Sequence, residues 1–430
     1  ALWRRADGTL VAGTKGAPET VFASCALPAH EAERWARAVE DYAAGAHKVI
    51  ACATRALPAG APADAEPGDG FELAGLLAFE DPVREGVRDA VAECLGAGIR
   101  VIMITGDHPA TAAAIARDVG LGGGVPAVVV LRPDDDAAAA LAAAPRVDVV
   151  ARATPPQKLA LVQALQAQGE TVAVTGDGVN DVPALQCADI GIAMGERGTR
   201  SAREVAPVVL LDDNFRTIVQ AVAEGRQLFR NLRLSFAYLL LVHIPLVLGA
   251  ALIPLLGLPL LFLPIHVVWL ELVIHPTAML AFQDLPDHGR LAPVQRGVRA
   301  RFFAPRAWVA IGLVGGALTA MLVGLYHVAL AGGGAEHARA MAMAALVAAS
   351  AAIAASLTRL RTPAARVVVA AQLASLALLV QVPPLAALLH LQPLHASDWA
   401  LALGLALLAG AAARAFTRSA GGAAPAPRVP

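Results

Sequence analysis

The run Val174-Thr175-Gly176-Asp177-Gly178-Val179-Asn180-Asp181-Val182-Pro183-Ala184-Leu185 sets two carboxylates and an amide on a Gly-rich loop directly after an apolar segment at 171–174. Residues of these types at this spacing can hold Mg2+ against a phosphoryl group. Magnesium keeps several waters and takes one or two protein carboxylates, so Asp177 and Asp181 suffice in number. Gly176 and Gly178 let the backbone approach a phosphate closely. The same residue types also make plain surface turns, so the decision rests on what surrounds the loop.

What surrounds it is an alternation of short apolar strands and helices. Strands are expected at 73–79, 99–104, 147–151 and 171–174, and near Ile190 and Val208, with helices at about 85–95 and 156–168. That order predicts a parallel sheet, whose active groups gather at the carboxyl ends of the strands. Asp81, Thr105, Asp107, Asp177 and Asp181 all follow strands. Residues 122–146 are mostly Gly, Ala and Asp and carry little pattern. Upstream, Asp7-Gly8 signals a hairpin, a helix is expected over 28–44 and a strand over 49–54 ending on Arg55, and 58–70 reads as a flexible loop. The expected domains are therefore 1–70 and 71–230.

From about Arg233 the composition changes. Apolar stretches at 234–256, 260–283, 307–331, 340–357, 365–389 and 398–413 each approach the length that crosses a bilayer, which predicts an all-α region of six spans over 231–418 and a disordered tail at 419–430. Positive charge marks one side: Arg290, Arg296, Arg299, Arg301 and Arg306, then Arg359, Arg361 and Arg366, then Arg414, Arg418 and Arg428. By the positive-inside rule these loops, the soluble half and the C-terminus are cytoplasmic, as in a multi-pass protein of a bacterial plasma membrane. A net charge of −1 implies no attraction to nucleic acid. Cys25, Cys52, Cys94 and Cys187 lie in the soluble half without metal spacing and read as small apolar residues in a reducing compartment.

Only three lysines, Lys15, Lys48 and Lys158, stand among 34 basic residues. An ammonium is a point charge where a guanidinium is a fork, so Lys15 and Lys158 are expected where arginine would not fit. Inside the expected spans, His243 and Pro245 fall in the first, and Glu271, His275 and Pro276 in the second. Ionisable groups in a membrane are costly, and proline frees a helix carbonyl, so these residues are the candidates for a transported cation. Glu271 and His275 are one helical turn apart. The histidines also have the plainer reading of satisfied interior side chains.

At this point the chain resembles the P-type cation-transporting ATPases, whose phosphorylation domain is haloacid dehalogenase-like. Lys15 to Glu19 (KGAPE), Asp81 to Arg84 (DPVR), Met103 to His108 (MITGDH), Ala151 to Lys158 (ARATPPQK), Thr175 to Leu185 (TGDGVNDVPAL) and Asp212 to Arg226 (DDNFRTIVQAVAEGR) occur in the family's order. The resemblance implies an α/β Rossmann-like phosphorylation domain, a partial α+β nucleotide-binding domain and a six-helix transmembrane region. It implies that Lys15 and Arg55 contact ATP, that Thr105, Gly106, Asp107 and Lys158 hold phosphoryl oxygens, that Asp177 binds Mg2+, and that Asn180 and Asp181 support that site. For Arg55 a surface ion pair is the alternative. The family phosphorylates an aspartate in DKTGT, and no such motif occurs in these 430 residues. The expectation is a C-terminal part of a longer pump, inactive alone, whose partners are the bilayer, ATP, the cation and the N-terminal part with its actuator domain and first four helices. A membrane-anchored phosphatase and a non-catalytic nucleotide-binding remnant are the other readings. Where calcium pumps carry Asn and Glu, then Asn and Asp, this chain has His243 and Leu246, then Glu271 and His275, which departs from an all-oxygen cage and points to a proton or a softer metal.

Overall fold

A computed structural model describes residues 2–6, 8–57, 68–80, 82–283, 285, 291 and 302–420, without the side chains of 416–420. Asp81, most of the expected loop at 58–70, Arg290, Arg296, Arg299, Arg301 and the tail from 421 lie outside the described residues. The chain forms two compact units that divide between Ala221 and Val222, nine residues before the expected boundary.

The first unit opens on an antiparallel sheet in the order β1 (Leu2–Arg4), β2 (Leu10–Gly16), β3 (Lys48–Leu57), β4 (Glu72–Phe79). Alternation along β3 turns Ala51, Ala53 and Leu57 onto a core shared with Ala12, Phe71 and Val21 of α1 (Pro18–Ser24), while α2 (Ala29–Ala44) covers the chain between β2 and β3. β4 departs from the expected parallel sheet: it pairs with β3 from Lys48↔Phe79 to Thr54↔Glu72. Its apolar run suits either sheet, and only the partner strand decides.

The parallel part comprises α3 (Val87–Gly96), β5 (Met103–Ile104), α4 (Pro109–Asp118), β6 (Val128–Val130), α5 (Ala137–Ala143), β7 (Val149–Ala151), α6 (Pro155–Ala167), β8 (Ala173–Gly176), α7 (Val182–Cys187), β9 (Ile190–Met194), α8 (Arg200–Val205) and β10 (Val208–Leu210). Instead of one sheet there are two of three strands, β5-β7-β6 and β10-β9-β8, so β5 and β8 are both edges. β7 is buried on both faces, as parallel strands are: Val149 and Ala151 pack with Val91, Ala112 and Ala116, and Val150 packs oppositely with Leu141 and Leu161. β6 falls in the stretch at 122–146 that showed no pattern; three valines become a strand because they lie in register with Val149 to Ala151.

The second unit is helical: α9 (Phe215–Leu255), α10 (Pro264–Gln283), α11 (Pro305–Thr358), α12 (Pro363–Gln381), α13 (Pro383–Leu388) and α14 (Ala396–Ala420). Among the described residues five of these are long and apolar enough to cross a membrane. The expected count of six differs because α11 holds two of the expected spans. Its 54 residues would reach about 80 Å if straight, against a hydrocarbon core of about 30 Å. It is not straight. Gly334 takes φ +80°, and Tyr326 Oη and Arg339 Nε both reach the carbonyl of Leu260, at 3.5 and 3.0 Å. Side chains thirteen positions apart on a straight helix could not share that oxygen, so the chain folds back near Gly334. The expected span 365–389 is also shorter than read: Pro383 and Pro384 end the helix at Gln381, since neither can donate into the preceding turn. Tyr238 and Gln372 meet on the Ser350 hydroxyl, each at 2.7 Å, which ties α9, α11 and α12 through one buried polar point.

Candidate phosphoryl-transfer site and membrane cation cluster

The loop after β8 is held by its own aspartate. Lys158 lies in the first turn of α6, whose start is fixed by Gln157: its oxygen accepts the Thr154 N–H at 3.0 Å, and its buried amide donates to the carbonyls of Arg132 and Asp135 at 2.6 and 3.1 Å. From there Lys158 Nζ reaches Asp181 Oδ1 at 2.7 Å, and the Gly178 N–H donates to Asp181 Oδ2 at 3.2 Å. The expected role of Gly176, backbone approach to phosphate, takes a different form here. A Cβ on Gly176 would stand 2.6 Å from Asp181 Cβ, so the missing side chain makes room for Asp181. Gly176→Ala should push Asp181 off Lys158 and cost about 1–3 kcal/mol. Melting of the full chain and hydrogen exchange over 176–181 read this; no change in either would mean the loop has slack.

Asp177 is exposed, and its backbone carbonyl accepts the Thr199 N–H at 2.8 Å. Both oxygens of Asp181 are engaged by the chain, whereas Asp177 presents its carboxylate to solvent. The donor set therefore fits one Mg2+ carboxylate ligand, Asp177, with Asp181 as the group that positions Lys158 and the loop. Asn180 is exposed beside it.

A second cluster forms at the end of β5. Thr105 Oγ1 donates to Asp107 Oδ2 and accepts the Asp107 N–H, both at 3.0 Å, and Lys48 Nζ pairs with Asp107 Oδ1 at 2.9 Å. Burial works against charge on Asp107, but the Lys48 ammonium, the Thr105 hydroxyl and the Arg152 charge outweigh it and hold the carboxyl below its ordinary value. Arg152 adopts φ +62°, a left-handed conformation uncommon for arginine, and its guanidinium bonds Glu19, which also stands 3.7 Å from His108 Nε2. Burial pulls the His108 pKa down, beyond what Glu19 restores.

The structure thus joins Lys158 to Asp181 and Thr105 to Asp107, but it forms no bond that ties Thr105, Lys158 and Asp177 directly to one another among the described residues. Gly106 is exposed, and a Cβ there would make only ordinary contact with the Ala153 carbonyl oxygen, 3.7 Å away. Lys15 and Arg55 are separated: Lys15 pairs with Cys52 and Arg55 with Ala12, an odd offset that puts them on opposite sheet faces. Arg55 makes the ion pair of the plainer reading, with exposed Asp69. Sequence reasoning missed Lys48, Glu19 and Arg152 as site residues. Lys48 had one signal, its place among three lysines. Asp213 lay within the Asp212 to Arg226 motif but was given no role: buried, it accepts the N–H groups of Gly195, Glu196 and Arg197 at 2.6, 3.1 and 2.9 Å.

In the helical unit, α9 and α10 run antiparallel in a register set by three bonds: Gln227 Nε2 to the Leu285 carbonyl at 2.9 Å, Asn231 Nδ2 to Gln283 at 3.1 Å and Ser235 Oγ to Ala278 at 2.8 Å. About two turns further along α9, and two turns back along α10, that register brings His243 opposite Glu271 and His275. Nε2 of His243 is 3.4 Å from Glu271 Oε1 and Nε2 of His275 is 3.3 Å from Oε2, with the two rings stacked at 5.6 Å. These three are the one group among the described residues whose ligand atoms, all within 4.8 Å of one another, could hold a metal ion.

Comparison with known proteins agrees with both halves. A family model described as haloacid dehalogenase-like hydrolase matches residues 6–189, a second of the same description matches 158–222, and one described as the C-terminus of cation transporting ATPases matches 259–417. A calcium-transporting ATPase of Bacillus subtilis is 36% identical over 333 residues, 73% of this chain and 37% of that protein. The sodium/potassium-transporting ATPase subunit alpha-A of Artemia franciscana is 38% identical over 278 residues, 54% of this chain and 28% of that protein. The chain therefore spans about a third of the length of these relatives. A soluble half matched as a haloacid dehalogenase-like hydrolase, followed by helices matched as a cation-pump C-terminus, makes this chain a member of the P-type cation-transporting ATPases.

Proposed function

We propose that the chain is the part of an ATP-driven cation transporter that holds the phosphoryl group and part of the ion path, working through an aspartyl-phosphate. The observation that carries this is the Lys158–Asp181 pair at 2.7 Å, in the loop on which Asp177 is exposed. Phosphoryl transfer asks a protein mainly for position and compensating charge. Asp181 holds Lys158 where its ammonium can neutralise phosphoryl oxygens, the Gly106 backbone offers a hydrogen-bond donor, and the Thr105 hydroxyl, which donates to Asp107 in this structure, would have to turn from it to donate to a phosphoryl oxygen. Mg2+, when bound through Asp177, would supply charge neutralisation. Lys15 is the proposed nucleotide contact on its sheet, while Arg55, on the opposite face and paired with Asp69, is left to the surface ion pair.

The nucleophilic carboxylate is proposed to come from a segment beyond these 430 residues. Among the described residues β5 and β8 are sheet edges that end just before Thr105 and Asp177, so a strand pairing with both would bring a carboxylate between those residues. On this reading the soluble unit and the C-terminus are cytoplasmic, in a bacterial plasma membrane, and the chain by itself neither forms the phosphoenzyme nor pumps. An anchored phosphatase is disfavoured by the ionisable cluster on α9 and α10, which an anchor does not need. Asp177→Asn in the intact protein should lower cation-stimulated ATP hydrolysis by about a hundredfold or more and raise the Mg2+ concentration needed for half-maximal turnover. Wild-type turnover at the same Mg2+ would remove Asp177 from the site.

A further inference from the structure

The proton arrangement at His243 narrows the class of cation. Its Nδ1 lies 2.9 Å from the Leu239 carbonyl oxygen, which can only accept, so Nδ1 carries a hydrogen and Nε2 is turned toward the carboxylate. Nε2 stands 3.4 Å from Glu271 Oε1, an acceptor, so a cation, either a metal ion or a proton on the ring, belongs between them. On the other side of the carboxylate, Oε2 is buried without a hydrogen-bond partner, although His275 Nε2 is 3.3 Å away. Imidazolium–carboxylate bonds close to about 2.7–2.9 Å, and these separations are longer. Each imidazole nitrogen stands over a different oxygen of one carboxylate, and the three candidate ligand atoms lie within 4.8 Å of one another, close enough for one small ion to bridge them.

We infer that this cluster takes a divalent d-block cation of the Zn2+ class, and not Ca2+ or Na+. The inference rests on the reading of the chain as a cation transporter and names the ion's chemistry. Two imidazoles and one carboxylate suit a borderline metal, whereas Ca2+ takes six to eight oxygens. A backbone carbonyl holding the far N–H of a ligating histidine, as Leu239 holds His243, is how metal sites fix ring orientation. Pro245 and Pro276 have no N–H, so the carbonyls of Leu241 and Leu272, one turn earlier, lose their helical donors.

The test is equilibrium titration of Zn2+ into the intact protein in detergent without nucleotide, with Ca2+ as competitor. One Zn2+ per chain should bind, and Glu271→Gln, His243→Gln and His275→Gln should each weaken it by more than about a hundredfold, since changes even beyond the ligands cost about 10–100-fold. The glutamine variants keep side-chain volume, and circular dichroism with thermal melting verifies that each is folded. Co2+ in place of Zn2+ should give visible absorption that all three variants lose. Equal Zn2+ affinity in wild type and the three folded variants would overturn the inference. So would displacement of Zn2+ by equimolar Ca2+, or an absence of divalent binding with turnover that follows pH alone, which would make the cluster a proton site. Failure of ATP hydrolysis with Zn2+ binding intact would count against the transport reading and leave the ion assignment standing.

Discussion

Lys158→Met is expected to lower ATP hydrolysis by the intact protein by about a hundredfold or more, the usual cost of removing a positioned electrostatic group from a transition state. It should also destabilise the chain. Lys158 and Asp181 are only 20% and 15% exposed, so methionine fills the volume but strands a mostly buried carboxylate without its partner. Breaking such a pair from one side costs about 2–3 kcal/mol here, less than in a fully buried site. The double variant Lys158→Met with Asp181→Asn separates the two effects. It should recover most of the melting temperature, because no unpaired charge remains, and none of the turnover, because the ammonium is still missing. Recovery of turnover would show that Lys158 serves structure alone.

Asp213→Ala carries the largest expected cost in stability. Three backbone N–H groups converge on this carboxylate, the Arg84 guanidinium bonds the Asp213 carbonyl, and the residue sits at φ +50°. Hydrogen bonds to a charged group contribute about 1.5–3 kcal/mol each, and the Gly195 N–H keeps the Leu210 carbonyl as a partner, so the loss should be about 3–5 kcal/mol, with exchange protection of the Glu196 and Arg197 amides disappearing. Intact protection in the variant would refute this account. Burial pushes the Asp213 carboxyl up, but the N–H groups of Arg197, Glu196 and Gly195 and the Arg84 charge outweigh it and hold the pKa below the ordinary value. A depressed carboxylate binds protons more readily in the unfolded chain, so its stabilisation is complete above the ordinary pKa of about 4 and is lost as pH falls through the folded value. Asp107 acts in the same direction. Melting temperature should therefore fall between about pH 5 and pH 2 in the wild type, with a shallower slope in Asp213→Asn.

The fold class, the strand ends that carry Thr105, Asp107, Asp177 and Asp181, and the apolar helices were legible because they depend on local pattern: alternation, periodicity and the Gly-rich loop after a strand. Part of the His243–Glu271–His275 grouping was legible as well. Glu271 and His275 are a helical turn apart, and a charged residue in an apolar span stands out by composition.

Residue types and local spacing by themselves determined which groups could do chemistry and on which elements they sit. Pairing was decided by the tertiary structure, because partners meet across long sequence separations where no periodicity links them. Lys158 meets Asp181, Lys48 meets Asp107, and Arg152 meets Glu19, 133 positions away. The same reason gave β4 to the antiparallel sheet, made a strand of β6, folded α11 back at Gly334, and set His243 against Glu271 through the bonds that fix the register of α9 on α10.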